Sequence, residues 1–401
     1  MQDYLEWKNN VGNNEDTWRT GSKLWFEKGD AGNYGAAYLG LADGFPQGGM
    51  NEAGLCFDGF SVYPRALRKL SGKKQIGTPT EFIKSILQHC RTIAEVDSLA
   101  AQYDRSAFNR SMFLFVDNTG DYLVMEVDTL IRGNDSTYVL SNFCPSDTRP
   151  EDVQIERYKR GQAFIKERTP QANFDYTLAA MEKMHECRSK IGDGTAYTWL
   201  YDLTDGALRL YFYHDYTKGI LFRLHDELKK DNHAYELTSL FPPNKEYDRL
   251  IAYRTPFNTR AVRVIMASAT LFCLLTSMLY GLVLLINLFR RSDTKSPLRL
   301  HYLLFGLTNL LMALFIQLLF ENEPAFYFDS PFSFGENFWI NAMAYFPLAL
   351  LISIVPLGVS FFKTIRTKKP NISSVVLVSL NMLLYMVFII GTGYWHMINV
   401  F

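Results

Sequence analysis

The 401-residue sequence has no excess of either charge: 41 lysines and arginines balance 41 aspartates and glutamates. The lack of a basic excess argues against a nucleic-acid partner, because phosphate backbones select cationic surfaces. Cysteines are few, and none has metal-ligand spacing. Cys273 lies in an apolar run, and Cys56, Cys90, Cys144 and Cys187 are scattered. His185 and Cys187 are two apart on an expected helix and so point to different faces. We therefore expect no metal site and no cofactor. The seven histidines show no triad-like arrangement. There is no long repeat and no low-complexity tract. The opening MQDYLEWKNN has neither the basic start nor the apolar run of an export signal.

Charge is also missing locally, and that absence is decisive. Val264–Leu288, Tyr302–Phe320, Trp339–Phe362 and Ser373–Tyr394 contain no Asp, Glu, Lys, Arg or His. At ~1.5 Å per residue, about 20 residues cross a hydrocarbon core of ~30 Å, so all four are expected transmembrane helices. The loops orient them. Arg290, Arg291, Lys295 and Arg299 follow the first span, and Lys363, Arg366, Lys368 and Lys369 follow the third. The middle loop carries Glu321, Glu323, Asp329 and Glu336. Positive loops stay cytoplasmic, which places residues 1–245 on the extracytoplasmic side and makes membrane lipid a partner. That side permits a disulfide among Cys56, Cys90, Cys144 and Cys187 and leaves the pairing open. Residues 246–263, within a polar proline-bearing segment that begins near His225, are expected to be a stalk, and 264–401 the membrane region. Asn287, Asn309, Gln317, Asn341 and Asn381, uncharged polar groups within or beside the spans, are expected to bind helices together.

The first 245 residues alternate strands and helices. Strands are expected at Ala36–Leu41 and Leu55–Val62. A helix capped by Thr78 with Pro79 in its first turn runs to about Cys90. A second starts at Thr92, where Glu95 completes a capping box. MFLFV and YLVMEV flank the turn Asp117–Gly120 as a hairpin. A strand through Val139 leads to helices near Asp152–Lys166 and Asp175–Cys187. A meander of TWLYDL, LRLYFYH and GILFRL closes the domain. This pattern indicates an α+β layered fold.

Four strings recur in order: VGNNED (Val11–Asp16), GMNEAGL (Gly49–Leu55), VLSNFCP (Val139–Pro145) and ERYKR (Glu156–Arg160). Singly they are turn compositions, a strand end and a solvated helix face. Together, with DNTGDYLVMEVD and TWLYDLTDGALRLYFY, they resemble the N-terminal nucleophile hydrolases of the choloylglycine hydrolase and penicillin acyltransferase group, the linear amide C–N hydrolases. The resemblance spans roughly residues 1–245 and implies a four-layer αββα sandwich followed here by an all-α bundle of four transmembrane helices. It also implies an N-terminal cysteine that attacks an amide carbonyl while its own α-amine acts as base. Such an amine has a pKa of ~7.7–8.0, suited to proton transfer near neutrality.

Carried over by motif, Asp16 matches the aspartate that orients the nucleophile's amine. Asn51 matches an oxyanion-hole asparagine, Asn142 the asparagine that holds the amine or the substrate, and Arg157 the arginine beside the thiol. Asn13 stands where the family's motif has arginine, at the substrate mouth with Asn14. The family's nucleophile precedes the motif glycine by roughly fifteen residues, one strand and a turn. Counting back from Gly12 passes Met1, so the expectation is a nucleophile and an export signal upstream of this sequence. Cys56 and Cys144 lack an α-amine and cannot take its place. The expected function is thus a membrane-anchored hydrolase of a small-molecule linear amide, inactive in the chain as written. Acylated amines, N-acyl amino acids, bile-salt conjugates and lactam precursors all suit the site. Two alternatives stand beside it: an inactive domain that binds an amide-like ligand, and a transport or signalling role in the bundle. The absence of ionisable groups from the spans argues against the last.

Overall fold

The computed structural model describes residues 2–7, 9–17, 19–64, 72–187, 194–252, 260–289, 297–321, 338–368, 372–395 and 397–398. The chain forms two compact units, Met1–Ala252 and Tyr253–Phe401. Several of the charges used to orient the spans (Arg290, Arg291, Lys295, Glu323, Asp329, Glu336, Lys369) lie outside the described residues, as does the 253–259 part of the expected stalk. The same holds for the side chains of Asn287, Arg299, Glu321, Lys363 and Lys368.

The first unit is built on two antiparallel sheets. One has six strands, in the order β12 (Thr137–Leu140), β1 (Gln2–Trp7), β2 (Asn10–Thr17), β13 (Gly194–Asp202), β14 (Ala207–Phe212) and β15 (Asp215–Arg223). The other has eight: β11 (Leu130–Gly133), β10 (Tyr122–Met125), β9 (Ser111–Val116), β6 (Cys56–Ser61), β5 (Pro46–Asn51), β4 (Ala36–Gly40), β3 (Lys23–Glu27) and β16 (His233–Glu236). A short parallel pair, β7 (Lys74–Gln75) and β8 (Tyr103–Asp104), stands apart.

Helices α1 (Pro79–His89) and α2 (Ile93–Ala100) cover the larger sheet, packing Ile83, Ile86, Leu87 and Val96 against Tyr38, Phe57, Phe113 and Phe115. Helices α3 (Glu156–Glu167) and α4 (Phe174–Met184) cover the smaller sheet, packing Tyr158, Ala180, Met181 and Met184 against Val139, Leu200 and Tyr211. The layers therefore run helix, sheet, sheet, helix. On β13, residues alternate between the two faces as a strand requires. Leu200 meets α4, while Trp199 points between the sheets. There its ring fills the space over Gly48 of β5, where an added Cβ would sit 2.2 Å from Trp199 Cζ2. Only glycine allows that approach.

Local chemistry sets several boundaries as expected. Thr78 accepts the amide of Glu81 at the start of α1, and Thr92 and Glu95 form a reciprocal capping box on α2. In the β9–β10 hairpin, Gly120 takes the positive φ of 84° that its turn demands.

Other elements differ from expectation. VGNNED is not a turn but the interior of β2, a strand buried at every position between β1 and β13. The second helix of the α3–α4 pair ends at Met184, so Cys187 has left it and bridges Gly194. Helix α3 starts at Glu156, after a single 3-10 turn at Pro150–Asp152. The segment from His225 is no extended stalk: α5 (Leu224–Glu227), β16, α6 (Leu237–Leu240) and α7 (Lys245–Ala252) fold onto the domain, with β16 pairing along β3.

The second unit comprises α8 (Arg260–Phe289), α9 (Pro297–Glu321), α10 (Phe338–Met343), α11 (Phe346–Lys368) and α12 (Ile372–Tyr394). Arg260–Ile286, Leu300–Phe320 and Ile372–Tyr394 are long and apolar enough to cross a membrane. The span expected over Trp339–Phe362 is divided at a turn after Met343, and its apolar stretch Phe346–Val359 is shorter. The unit is inside-out relative to the first. Val264, Met278, Leu314 and Ile390 are exposed, while Asn309 and Asn381 are wholly buried. Asn309 Nδ2 donates to Thr276 Oγ1 (2.7 Å) and to Asn381 Oδ1 (2.6 Å), and Tyr385 Oη donates to Asn309 Oδ1. Three helices are thereby joined by amide chemistry in an otherwise apolar interior.

Candidate active site

Strand β2 carries Asp16 into the interior, where its side chain is 1% exposed. An ionised carboxylate stripped of water must be paired or hydrogen-bonded. Thr195 Oγ1, on the adjacent β13, donates to Asp16 Oδ1 at 2.5 Å. Arg157, in the first turn of α3 and 7% exposed, places Nε 3.9 Å from Asp16 Oδ2. Its Nη2 donates to Asn142 Oδ1, just past the end of β12, and Asn142 Nδ2 donates to the Ser61 carbonyl at the end of β6 (2.8 Å). Three of the four expected catalytic residues, Asp16, Asn142 and Arg157, thus share one chain, an ion pair continued by hydrogen bonds, that reaches both sheets.

Asn51 does not join them. It is fully buried, its Nδ2 donates to the carbonyls of Leu87 (2.7 Å) and Cys90 (2.8 Å), and its Oδ1 accepts the amides of Ala53 and Leu55. Both amide hydrogens thus meet carbonyls at the end of α1, and the structure places Asn51 apart from the other three residues. Asn14 is likewise engaged with the helix layer: Nδ2 donates to Met181 O (2.9 Å), and Oδ1 accepts from Thr198 (2.6 Å). Asn13 points the opposite way, fully buried between the sheets, with no partner for either polar atom. Neither is among the residues that line the cleft beside Asp16.

That cleft, about 280 Å³, opens along Glu15, Asp16 and Thr17, with Gln47, Ser61 and Ser111 opposite and Phe45, Phe60 and Phe113 as apolar wall. Arg19 stands at its edge. Glu15 and Thr195 belong to the site and were not anticipated. Thr195 reaches Asp16 through a register shift between Thr195 and Tyr197, which no period in the sequence announces. Between the sheets, burial first and then the charges of Glu15 and Asp58 push the Tyr197 phenol well above its ordinary range. Of the five cysteines, Cys187 is exposed and the others are buried. Among the described residues, Cys187, His214 and Glu246 are grouped closely enough to hold a metal ion. Burial, opposed by Glu246, lowers the pKa of His214.

No family model and no curated sequence matches the chain. Solved structures do. Conjugated bile acid hydrolase from Clostridium perfringens, in two variant forms, aligns at 16% identity over 59% and 61% of this chain and 96% and 99% of its own, with TM-scores of 0.45 and 0.48. Penicillin V acylase from Agrobacterium tumefaciens aligns at 13% identity over 59% of this chain and 92% of its own, with a TM-score of 0.46.

Removing Arg157 strands a buried carboxylate. Arg157→Met is expected to lower unfolding stability by about 3–5 kcal/mol, and adding Asp16→Asn to restore much of it. Chemical denaturation of the full chain in detergent checks the pair. A loss in the double variant equal to the sum of the two single losses would show that the two groups do not interact.

Proposed function

We propose that this protein is a membrane-anchored hydrolase of linear, non-peptide amides that uses an N-terminal cysteine as nucleophile. One observation carries the proposal: Asp16, Arg157, Asn142 and Thr195 converge in a buried chain at the end of β2 where the polypeptide enters β1, with Gln2 paired to Glu15. A nucleophile carried by the residue ahead of β1 has its α-amine within reach of the Asp16 carboxylate.

The reaction follows from these placements. The α-amine takes the thiol proton as sulfur bonds to the amide carbon, and the carbonyl oxygen becomes an oxyanion. Asn142 donates to that oxyanion, and Arg157, the cation beside the thiol, favours thiolate. The C–N bond breaks, the ammonium gives its proton to the leaving amine, and an acyl thioester remains. Water, deprotonated by the same amine, cleaves the thioester to release the acid and restore the thiol. Asp16 holds the amine throughout. The cleft receives the acyl group against Phe45, Phe60 and Phe113. The hydrolase domain lies on the extracytoplasmic face, because the lysine- and arginine-bearing loops are those after the first and third spans.

Asn142→Ala is expected to lower kcat on an N-acyl amide by about 10²–10³, with a far smaller effect on KM, as loss of an oxyanion donor does. A rise in KM with kcat unchanged would make Asn142 a substrate-binding group only. Protein that binds N-acyl amides without turnover, even after its N-terminal thiol is demonstrated, would favour a ligand-binding domain. For orientation, in a Cys187→Ala background a membrane-impermeant maleimide should label Lys229→Cys on intact cells and Lys295→Cys only after permeabilisation. The reverse pattern would place the domain in the cytoplasm.

A further inference from the structure

The group formed by Cys187, His214 and Glu246 lies outside the chemistry above. One donor atom from each side chain lies within 4.8 Å of the other two. His214 Nδ1 is 2.8 Å from Glu246 Oε2, whereas Nε2 is buried without a partner on a side chain only 8% exposed. The nitrogen that can meet an ion together with Glu246 is therefore Nδ1, because Nε2 lies on the far edge of the ring. Nearby His185 does not crowd the site, because its ring centroid is 5.6 Å from that of His214 and its Nδ1 is engaged by the Glu182 carbonyl.

The three residues come from separate elements that are tied together by their backbones. Beside Cys187, the Glu186 amide donates to Thr195 Oγ1 and the Thr195 amide to Glu186 O, each at 2.9 Å. His214 sits on the β14–β15 turn, where Tyr213 and His214 hold φ of 50° and 64°, in the left-handed region that few non-glycine residues adopt. Asn244 joins that turn to α7: its Nδ2 donates to Tyr213 O (2.8 Å), and its Oδ1 accepts the Glu246 amide (2.9 Å). The ligand atoms are therefore held close before any ion arrives.

We propose that Cys187, His214 and Glu246 form a site for a divalent transition metal of the zinc class, with three protein ligands and an open fourth position for water. A thiolate with an imidazole selects zinc, cobalt or copper over magnesium and calcium, and the single carboxylate completes a neutral set. Metal–ligand bonds of about 2.0–2.3 Å need donors somewhat nearer one another than 4.8 Å, a change within reach of side-chain rotation. Binding the ion releases the thiol proton. A filled site would also brace Thr195, the residue that bonds Asp16, so the metal would support the neighbouring site without touching substrate.

Cobalt(II) titration of the chelator-stripped, reduced full chain in detergent tests the proposal. One equivalent is expected to bind, with the near-ultraviolet absorption of a cobalt–thiolate bond, and zinc should displace it. Because Cys187 is exposed and the other four cysteines are buried, Cys187→Ala should abolish that band without disturbing the core. Glu246→Gln should weaken binding by about tenfold or more. The absence of saturable cobalt binding, or a thiolate band that persists in Cys187→Ala, would overturn the site.

Discussion

The first unit is organised around one buried charge. Asp16 sits on a central strand with its carboxylate removed from water, and the cost of that burial is met only if other groups are held against it. Thr195 does so from the next strand, and Arg157 does so from a helix that would otherwise present arginine to solvent. Arg157 then holds Asn142, which in turn reaches the carbonyl of Ser61 in the other sheet. One carboxylate thereby fixes the relation of two sheets and a helix at the point where the chain enters its first strand.

Much of the layering can be read in the sequence because it is written in local rules. Thr78 with Pro79, and Thr92 with Glu95, mark helix starts by satisfying orphan amides. The turn at Asp117–Gly120 separates two apolar runs. The run VGNNED misleads for a physical reason. Its polar residues suit a turn in water, and only tertiary partners such as Met181 O, Thr198 and Thr195 make them suit a buried strand. Asn51 misleads in the opposite sense. Its motif resembles a catalytic one, but whether an amide hydrogen is free for a substrate depends on carbonyls 36 and 39 residues away. The cluster of Cys187, His214 and Glu246 is equally hidden, since its spacing follows no local period and becomes visible only once α4 ends at Met184 and α7 folds back.

The second unit inverts these rules. Apolar side chains such as Val264 and Met278 face outward, where hydrocarbon is the expected solvent, and Asn309 and Asn381 face inward, where their amides bond one another and their neighbours. Asn309 and Asn381 were legible as helix glue because an uncharged amide in an apolar run has few other uses. The division of the third apolar stretch after Met343 was not legible, because composition alone does not register a turn.

The account stands or falls on the residue that meets Asp16. Isolating the native protein from its membranes and determining the mature N-terminus by sequencing and intact mass tests it most directly. The account predicts a cysteine with an unblocked α-amine a few residues ahead of Met1. A blocked amine, or a first residue that is not Cys, Ser or Thr, would contradict it.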